Sequence, residues 1–131
     1  MLIIDKLSGI PIYEQIINAL ELLIVRNIYP ADTQLPSVRA LSQEICVNPN
    51  TLQKAYTELE RDRICYSVSG SGRYVSKDAK EIIRQGKLKK LDEIAELAAA
   101  LQTFGVTREQ IAERVNSVFG GAKNNEEAEK I

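Results

Sequence analysis

The chain contains no histidine. Without an imidazole, no Ser-His-Asp or Cys-His nucleophile can be assembled, and no histidine-bearing zinc site. Its two cysteines, Cys46 and Cys65, are too few for a cysteine-only zinc site or a disulfide framework. They stand 19 positions apart among apolar neighbours and read as two buried small hydrophobes. The other reading, a redox-sensing thiol pair, needs an electropositive and accessible setting. No apolar run approaches the roughly 18–20 residues that span a membrane. The opening Met1-Leu2-Ile3-Ile4 is interrupted at once by Asp5, so no secretory core forms and a cytoplasmic location is expected. Clustered carboxylates in a recognisable catalytic motif are also missing, which argues against an enzyme. Nothing calls for a cofactor or a metal.

What is there fits one compact domain with an appendage. The chain has 131 residues, of which 44% are hydrophobic and 27% charged, a globular composition. The net charge is -1, which is not that of a bulk nucleic-acid binder. The distribution says more. Residues 36–77 carry six basic and four acidic side chains, whereas residues 1–35 carry two basic against four acidic. Residues 78–131 are close to balanced, so the middle is the positive segment.

Leu2-Ile3-Ile4 reads as a short strand, followed by a turn at Ser8-Gly9-Ile10-Pro11. Ile12, Ile16, Ala19, Leu20, Leu23 and Ile24 recur at helical spacing and predict a helix over about 12–26. Ser37 is a suitable N-cap for a second helix with Val38, Leu41 and Ile45 on one face. After Cys46-Val47, Asn48 caps and Pro49 opens a third helix over about 49–62. Its inward stripe is Leu52, Ala55, Tyr56 and Leu59; its outward face shows Asn50, Gln53, Lys54 and Thr57. Ile64 to Val68, a Ser69-Gly70-Ser71-Gly72 turn and Arg73-Tyr74-Val75 read as a β-hairpin, with Ile3-Ile4 as a possible third strand at its edge. Two short helices joined by a tight turn, braced by a longer one and followed by a hairpin, form a winged helix-turn-helix pattern.

Residues 78–119 change character. Ile82, Ile83, Leu88, Leu91, Ile94, Ala95, Ala98 and Leu101 make a long apolar helical stripe, with Gly86 as a candidate break. Gly105 ends it, and Thr107-Arg108-Glu109-Gln110 is a capping box for a further helix with Ile111, Val115, Val118 and Phe119. Gly120-Gly121 should stop that helix before a disordered acidic tail, 122–131. The expected organisation is thus mainly α with a small β-wing: a winged helix-turn-helix domain over 1–77 and a helical dimerisation segment over 78–121.

The run Leu35-Pro36-Ser37-Val38-Arg39-Ala40-Leu41, then Val47-Asn48-Pro49-Asn50-Thr51, Ala55-Tyr56, Leu59 and Gly70-Ser71-Gly72-Arg73-Tyr74-Val75, resembles the GntR family of bacterial transcription regulators. Pro11, Tyr13, Glu14 and Gln15 match the usual opening of its first helix. The likeness covers about residues 5–76, and the short two-helix C-terminal part is similar to the YtrA-type subfamily. Glycine is usual in the family where Asn27, Ala31, Cys46 and Arg63 stand here.

The resemblance implies a DNA-binding repressor acting as a homodimer on a two-fold-symmetric operator. It places Asn48, Pro49, Asn50, Thr51 and Gln53 at DNA-facing positions, Arg39 as a DNA-contacting arginine, and Ser69 and Gly70 at the wing tip. Asn50 and Gln53 carry the donor–acceptor pair that suits adenine N6 and N7. Lys54 and Arg73 would add phosphate contacts blind to sequence. Asn48 and Thr51 can equally act as helix caps, and capping is compatible with contact. Leu88, Leu91, Ile94, Ala95, Ala98, Leu101, Ile111 and Val115 would form the dimer contact; the competing reading folds 82–119 back on its own winged helix. About fifty residues after the wing are too few for a self-contained effector pocket, so a small-molecule effector would need the dimer to build its site. A winged helix used only for protein contacts would present an apolar outward face on the third helix, which the polar Asn50, Gln53, Lys54 and Thr57 do not provide.

Overall fold

The computed structural model describes residues 2–130, with side chains described from Leu2 to Gly120. Eight elements follow in order: α1 (Ile12–Val25), α2 (Val38–Ile45), α3 (Pro49–Arg61), β1 (Cys65–Val68), β2 (Gly72–Val75), α4 (Ala79–Leu88), α5 (Lys90–Thr103) and α6 (Arg108–Lys130). They fall into two units, Met1–Lys87 and Leu88–Ile131.

The first unit is built around one apolar cluster. The stripe of α1 buries Ile16, Leu20, Leu23 and Ile24, and that of α3 buries Leu52, Ala55, Tyr56 and Leu59. Leu35 and Leu41 close one side, and Ile64, Cys65 and Val75 close the wing side. Burying a leucine or isoleucine contributes about 1.5–3 kcal/mol, so these stripes dominate the stability of the unit. The caps work as the sequence predicts. Ser37 Oγ accepts from Ala40 N at 3.0 Å, and Asn48 Oδ1 accepts from Asn50 N at 2.8 Å with Pro49 at the first helical position.

Three helices end on Schellman turns whose left-handed residue carries a side chain or is glycine. Asn27, Arg63 and Gly105 have φ of 61°, 65° and 86°. In each, the next residue's N–H reaches back to the third carbonyl from the helix end: Ile28 to Leu23 at 2.9 Å, Ile64 to Leu59 at 2.9 Å and Val106 to Leu101 at 3.2 Å. Cys46 ends α2 with φ 56°, and Val47 N reaches Ser42 O at 3.1 Å. The remaining positive φ of a non-glycine residue lies at Asp32, at 61°, and not at Ala31, where the family resemblance put a glycine. A left-handed arginine costs about 1–2 kcal/mol, and glycine returns about 0.5–1 kcal/mol of that as unfolded-chain freedom. Arg63→Gly should therefore stabilise the protein by about 0.5–1 kcal/mol in urea titration. A loss of stability would show that the Arg63 side chain contributes more than its backbone costs.

β1 and β2 pair antiparallel with Cys65 opposite Val75, Tyr66 opposite Tyr74, Ser67 opposite Arg73 and Val68 opposite Gly72. The third edge of this hairpin is not Ile3-Ile4. Residues 32–35 occupy it: Asp32 N donates to Val75 O at 2.7 Å, Val75 N to Thr33 O at 2.9 Å and Leu35 N to Arg73 O at 2.8 Å. Leu2 and Ile4 instead lean on the core as partly buried side chains. The thirties segment wins because Leu35 is buried beside β2, which aligns its backbone with the open strand edge.

The first unit also reaches past residue 77. Ala79 and Ile83 of α4 are buried in the same core, Ile82 lies against it, and Lys87 Nζ meets Glu21 Oε1 of α1 at 3.0 Å. Gly86 does not break the helix; the interruption falls at Lys89, between α4 and α5. One glycine costs a helix only about 1 kcal/mol, less than α4 gains by docking Ile83.

In the second unit, α5 ends on the Gly105 turn and α6 opens with the expected capping box. Thr107 N donates to Gln110 Oε1 at 2.9 Å, and Gln110 N donates to Thr107 Oγ1 at 3.1 Å. The helix does not stop at Gly120-Gly121, as the sequence predicts, but runs on to Lys130. The expected disordered tail, 122–131, falls on this last stretch: the backbone of 122–130 continues α6, and residue 131 lies outside the described residues. No residue of α5 is buried. Among the described residues no helix is long and apolar enough to cross a membrane.

Candidate nucleic-acid interface

The turn Cys46-Val47-Asn48 sets α3 across α2, so α3 buries one face and leaves the other open. Asn50, Gln53, Lys54 and Thr57 are exposed, and Thr51 is half-buried. Asn48 spends its side-chain oxygen on the cap, which leaves its amide N–H groups free. Gln53 Nε2 donates to Thr57 Oγ1 at 3.3 Å, which steadies its amide on the outward face. Arg39 is exposed on α2, with no ion pair among the described residues.

A groove of about 550 Å³ separates α3 from the wing. Gln34, Ser37, Gln53, Ser67, Ser71 and Arg73 supply its polar side chains, and Gly70 lines it with backbone. At the wing tip, Gly70 has φ 76° and open space where a Cβ would stand, so its backbone can be approached closely. Ser71 N closes the turn onto Val68 O at 2.9 Å. The structure therefore brings Gln53 of α3 and Gly70 of the wing tip to one groove; Asn50, Lys54, Thr57 and Ser69 lie outside its lining.

Two expected phosphate ligands are already engaged. Lys54 Nζ sits 3.8 Å from the centroid of the Tyr13 ring, which is half-buried and not deep core. Arg73 lies on the inner face of the wing with its side chain 21% exposed. Its Nε is 3.7 Å from Glu60 Oε1.

Three residues at this site escape a reading of the sequence. Gln34 Nε2 donates to Ser71 O at 2.9 Å and braces the wing tip from the loop before α2. Lys6 Nζ donates to Cys46 O at 2.9 Å, tying the N-terminal segment to the helix-turn-helix corner. Glu60 also accepts from the Ser67 hydroxyl. Each contact crosses between elements through one flexible polar side chain, a type of pairing that leaves no periodic signal.

The cysteines divide. Cys65 is buried, and burial pushes its thiol up to about 11, with Glu60 adding to the effect. It is a neutral, unreactive thiol near neutral pH. Cys46 is exposed at the corner of the motif, contrary to the expected burial, because the helix ends there. Burial also raises the pKa of Tyr56, whose hydroxyl donates to Pro36 O at 2.7 Å and ties α3 to the segment before α2.

The second unit carries an apolar surface. Of the residues expected at a dimer contact, Leu88, Leu91, Ile94, Leu101 and Val115 are exposed large hydrophobics, Ala95 is exposed, and Ala98 and Ile111 are half-buried. Leu97, Phe104, Val118 and Phe119 extend this surface. Ala98, Gln102, Arg108 and Ile111 border an open concavity of about 400 Å³.

Comparison with known proteins agrees with this geometry. The family described as "Bacterial regulatory proteins, gntR family" matches residues 12–75. The HTH-type transcriptional repressor YtrA of Bacillus subtilis is 38% identical over 130 residues, covering 95% of this chain and all of that one. A GntR family transcriptional regulator from Listeria monocytogenes superposes with a TM-score of 0.67 at 35% identity, over 84% of this chain and 96% of that one. The AraR DNA-binding domain in complex with operator ORX1 gives a TM-score of 0.52 at 28% identity, over 57% of this chain and 93% of that one. The match to the family across the helix-turn-helix and wing, and to a relative over its whole length, shows that this chain belongs to the GntR family of bacterial transcription regulators.

Proposed function

We propose that this regulator binds a two-fold-symmetric DNA operator as a homodimer and represses transcription there. One observation carries the reading: Gln53, on the polar exposed face of α3, and the open Gly70 wing tip line the same groove. A B-DNA major groove admits one α-helix, and the strand beside it would pass between helix and wing. In this reading Asn50, Thr51 and Gln53 face base edges, with Asn48 and Pro49 at the leading end of the helix. Arg39 grips a phosphate or a guanine edge. Lys54 lies along the backbone, and Ser69 and Gly70 approach the minor groove. The AraR domain found with an operator supports the DNA role, and the name of the Bacillus relative supports repression.

One winged helix covers one half-site, and two-fold operators mirror two-fold proteins. The apolar surface of α5 and α6 supports pairing through Leu88, Leu91, Ile94, Ala95, Ala98, Leu101, Ile111 and Val115. Exposed apolar side chains in this number on two helices mark an interaction site. The concavity beside Ala98 and Ile111 is then covered by the second copy. A small-molecule effector would act only by binding two dimer arrangements with different affinities.

Gln53→Ala tests the recognition face. Fluorescence anisotropy on a selected operator and on a scrambled duplex should show a loss of about 1–3 kcal/mol on the operator and little change on the scrambled DNA. Equal affinity of the variant and the parent for the operator would remove Gln53 from the recognition face.

A further inference from the structure

We infer that Glu60 and Arg73 are a positioning pair that fixes the wing against the recognition helix, and that Arg73 is not a phosphate ligand. This rests on the DNA-binding reading above and assigns a residue, Glu60, whose negative charge would otherwise be out of place beside DNA. Glu60 projects from the last turn of α3. Its Oε1 accepts from the Ser67 hydroxyl and lies 3.7 Å from Arg73 Nε. Ser67 and Arg73 face each other in the hairpin register, so one carboxylate oxygen grips both strands of the wing at one level.

The surroundings of Arg73 fit a strut. Its Nε is buried, and among the described residues no acceptor lies within hydrogen-bond distance of it. Its guanidinium carbon stands 5.3 Å from the centroid of the Tyr56 ring, within cation–π range. Tyr56 is itself tied to Pro36 O. Arg73 O also accepts from Leu35 N at 2.8 Å. The arginine thus joins α3, the thirties segment and the hairpin. The wing tip at Ser69 and Gly70 begins two residues after Ser67, past Val68, so fixing Ser67 sets where the tip meets the minor groove. A tip free to move would have to be ordered on binding, at a cost in affinity.

The test uses the full-length protein and an operator selected from random duplexes by the parent. Affinity is measured across a salt series for Glu60→Gln, Arg73→Lys, Arg73→Gln and the Glu60→Gln/Arg73→Lys double variant. Hydroxyl-radical footprints and thermal unfolding are recorded in parallel. Glu60→Gln keeps an acceptor for Ser67 and removes only the charge. The expected result is a loss of about tenfold for each single variant, with minor-groove protection lost and major-groove protection kept. The double variant should be no worse than either single one, and the slope of log K against log salt should not change. A phosphate ligand would behave differently: Arg73→Lys would bind like the parent, and Arg73→Gln would lower the slope by about 0.9. That pattern, or parent-like binding by Glu60→Gln, overturns the inference. If Glu60→Gln does not fold, Ser67→Ala removes one of the two contacts alone, and parent-like footprints from it are equally fatal. Failure of the parent to select any duplex would instead defeat the DNA-binding reading itself.

Discussion

Ile94→Asp should convert the protein to a monomer and lower its operator affinity by about 10²–10⁴-fold, the avidity that two linked half-site contacts provide. Ile94 is 52% exposed within the protomer, so an aspartate there leaves the fold of α5 intact. The cost falls on association alone. Leu91, Ile94, Leu97 and Leu101 lie on a helix with no buried residue, and an unpaired carboxylate brought into the proposed dimer contact loses its hydration without a partner. Sedimentation gives the mass, and anisotropy at fixed salt gives the affinity. A variant that remains a dimer would place the dimer contact elsewhere. A monomer with parent-like affinity would show that one winged helix suffices.

Leu52→Ala should cost about 3 kcal/mol of stability, within the 2–5 kcal/mol typical of a buried leucine. Leu52 is fully buried on α3, directly behind Asn50 and Gln53. Total stability for a domain of this kind is about 5–15 kcal/mol, so the loss is a large share. Each kcal/mol shifts Tm by roughly 4–8 °C in a unit of this size, and the melting curve will move well outside experimental scatter. At low temperature the folded fraction should still bind, because the outward side chains are untouched. A cost below 1 kcal/mol would mean that α3 is not clamped by its inward stripe, which would undercut the rigid recognition face.

α2 and α3 are legible because two independent signals coincide at each. Apolar stripes predict which faces are buried, and Ser37, Asn48 and Pro49 mark where α2 and α3 begin. The capping box at Thr107 to Gln110 is legible for the same reason. What escapes is long-range pairing. The third strand position is held by residues 32–35 through backbone bonds, and backbone bonds are blind to side-chain pattern. Ile82 and Ile83 share a stripe with Leu88 and Leu91, yet they belong to the first unit, since periodicity says which face is apolar but not what covers it. Cys46 looks like a core residue by its neighbours and is exposed because the helix stops on it. Arg73 reads as a free cation until Glu60, thirteen positions earlier in the chain, is seen beneath it.

The central claim is that a dimer presents two α3 faces and two wings to a two-fold DNA site. Selection from random duplexes, followed by footprinting of the enriched sequence at physiological salt, tests it most directly. The account predicts an inverted repeat, protected in two major-groove half-sites about one helical turn apart or a multiple of it, with adjoining minor-groove protection and two chains per duplex. Enrichment of an asymmetric sequence, one chain per duplex, or no enrichment over random DNA would contradict it.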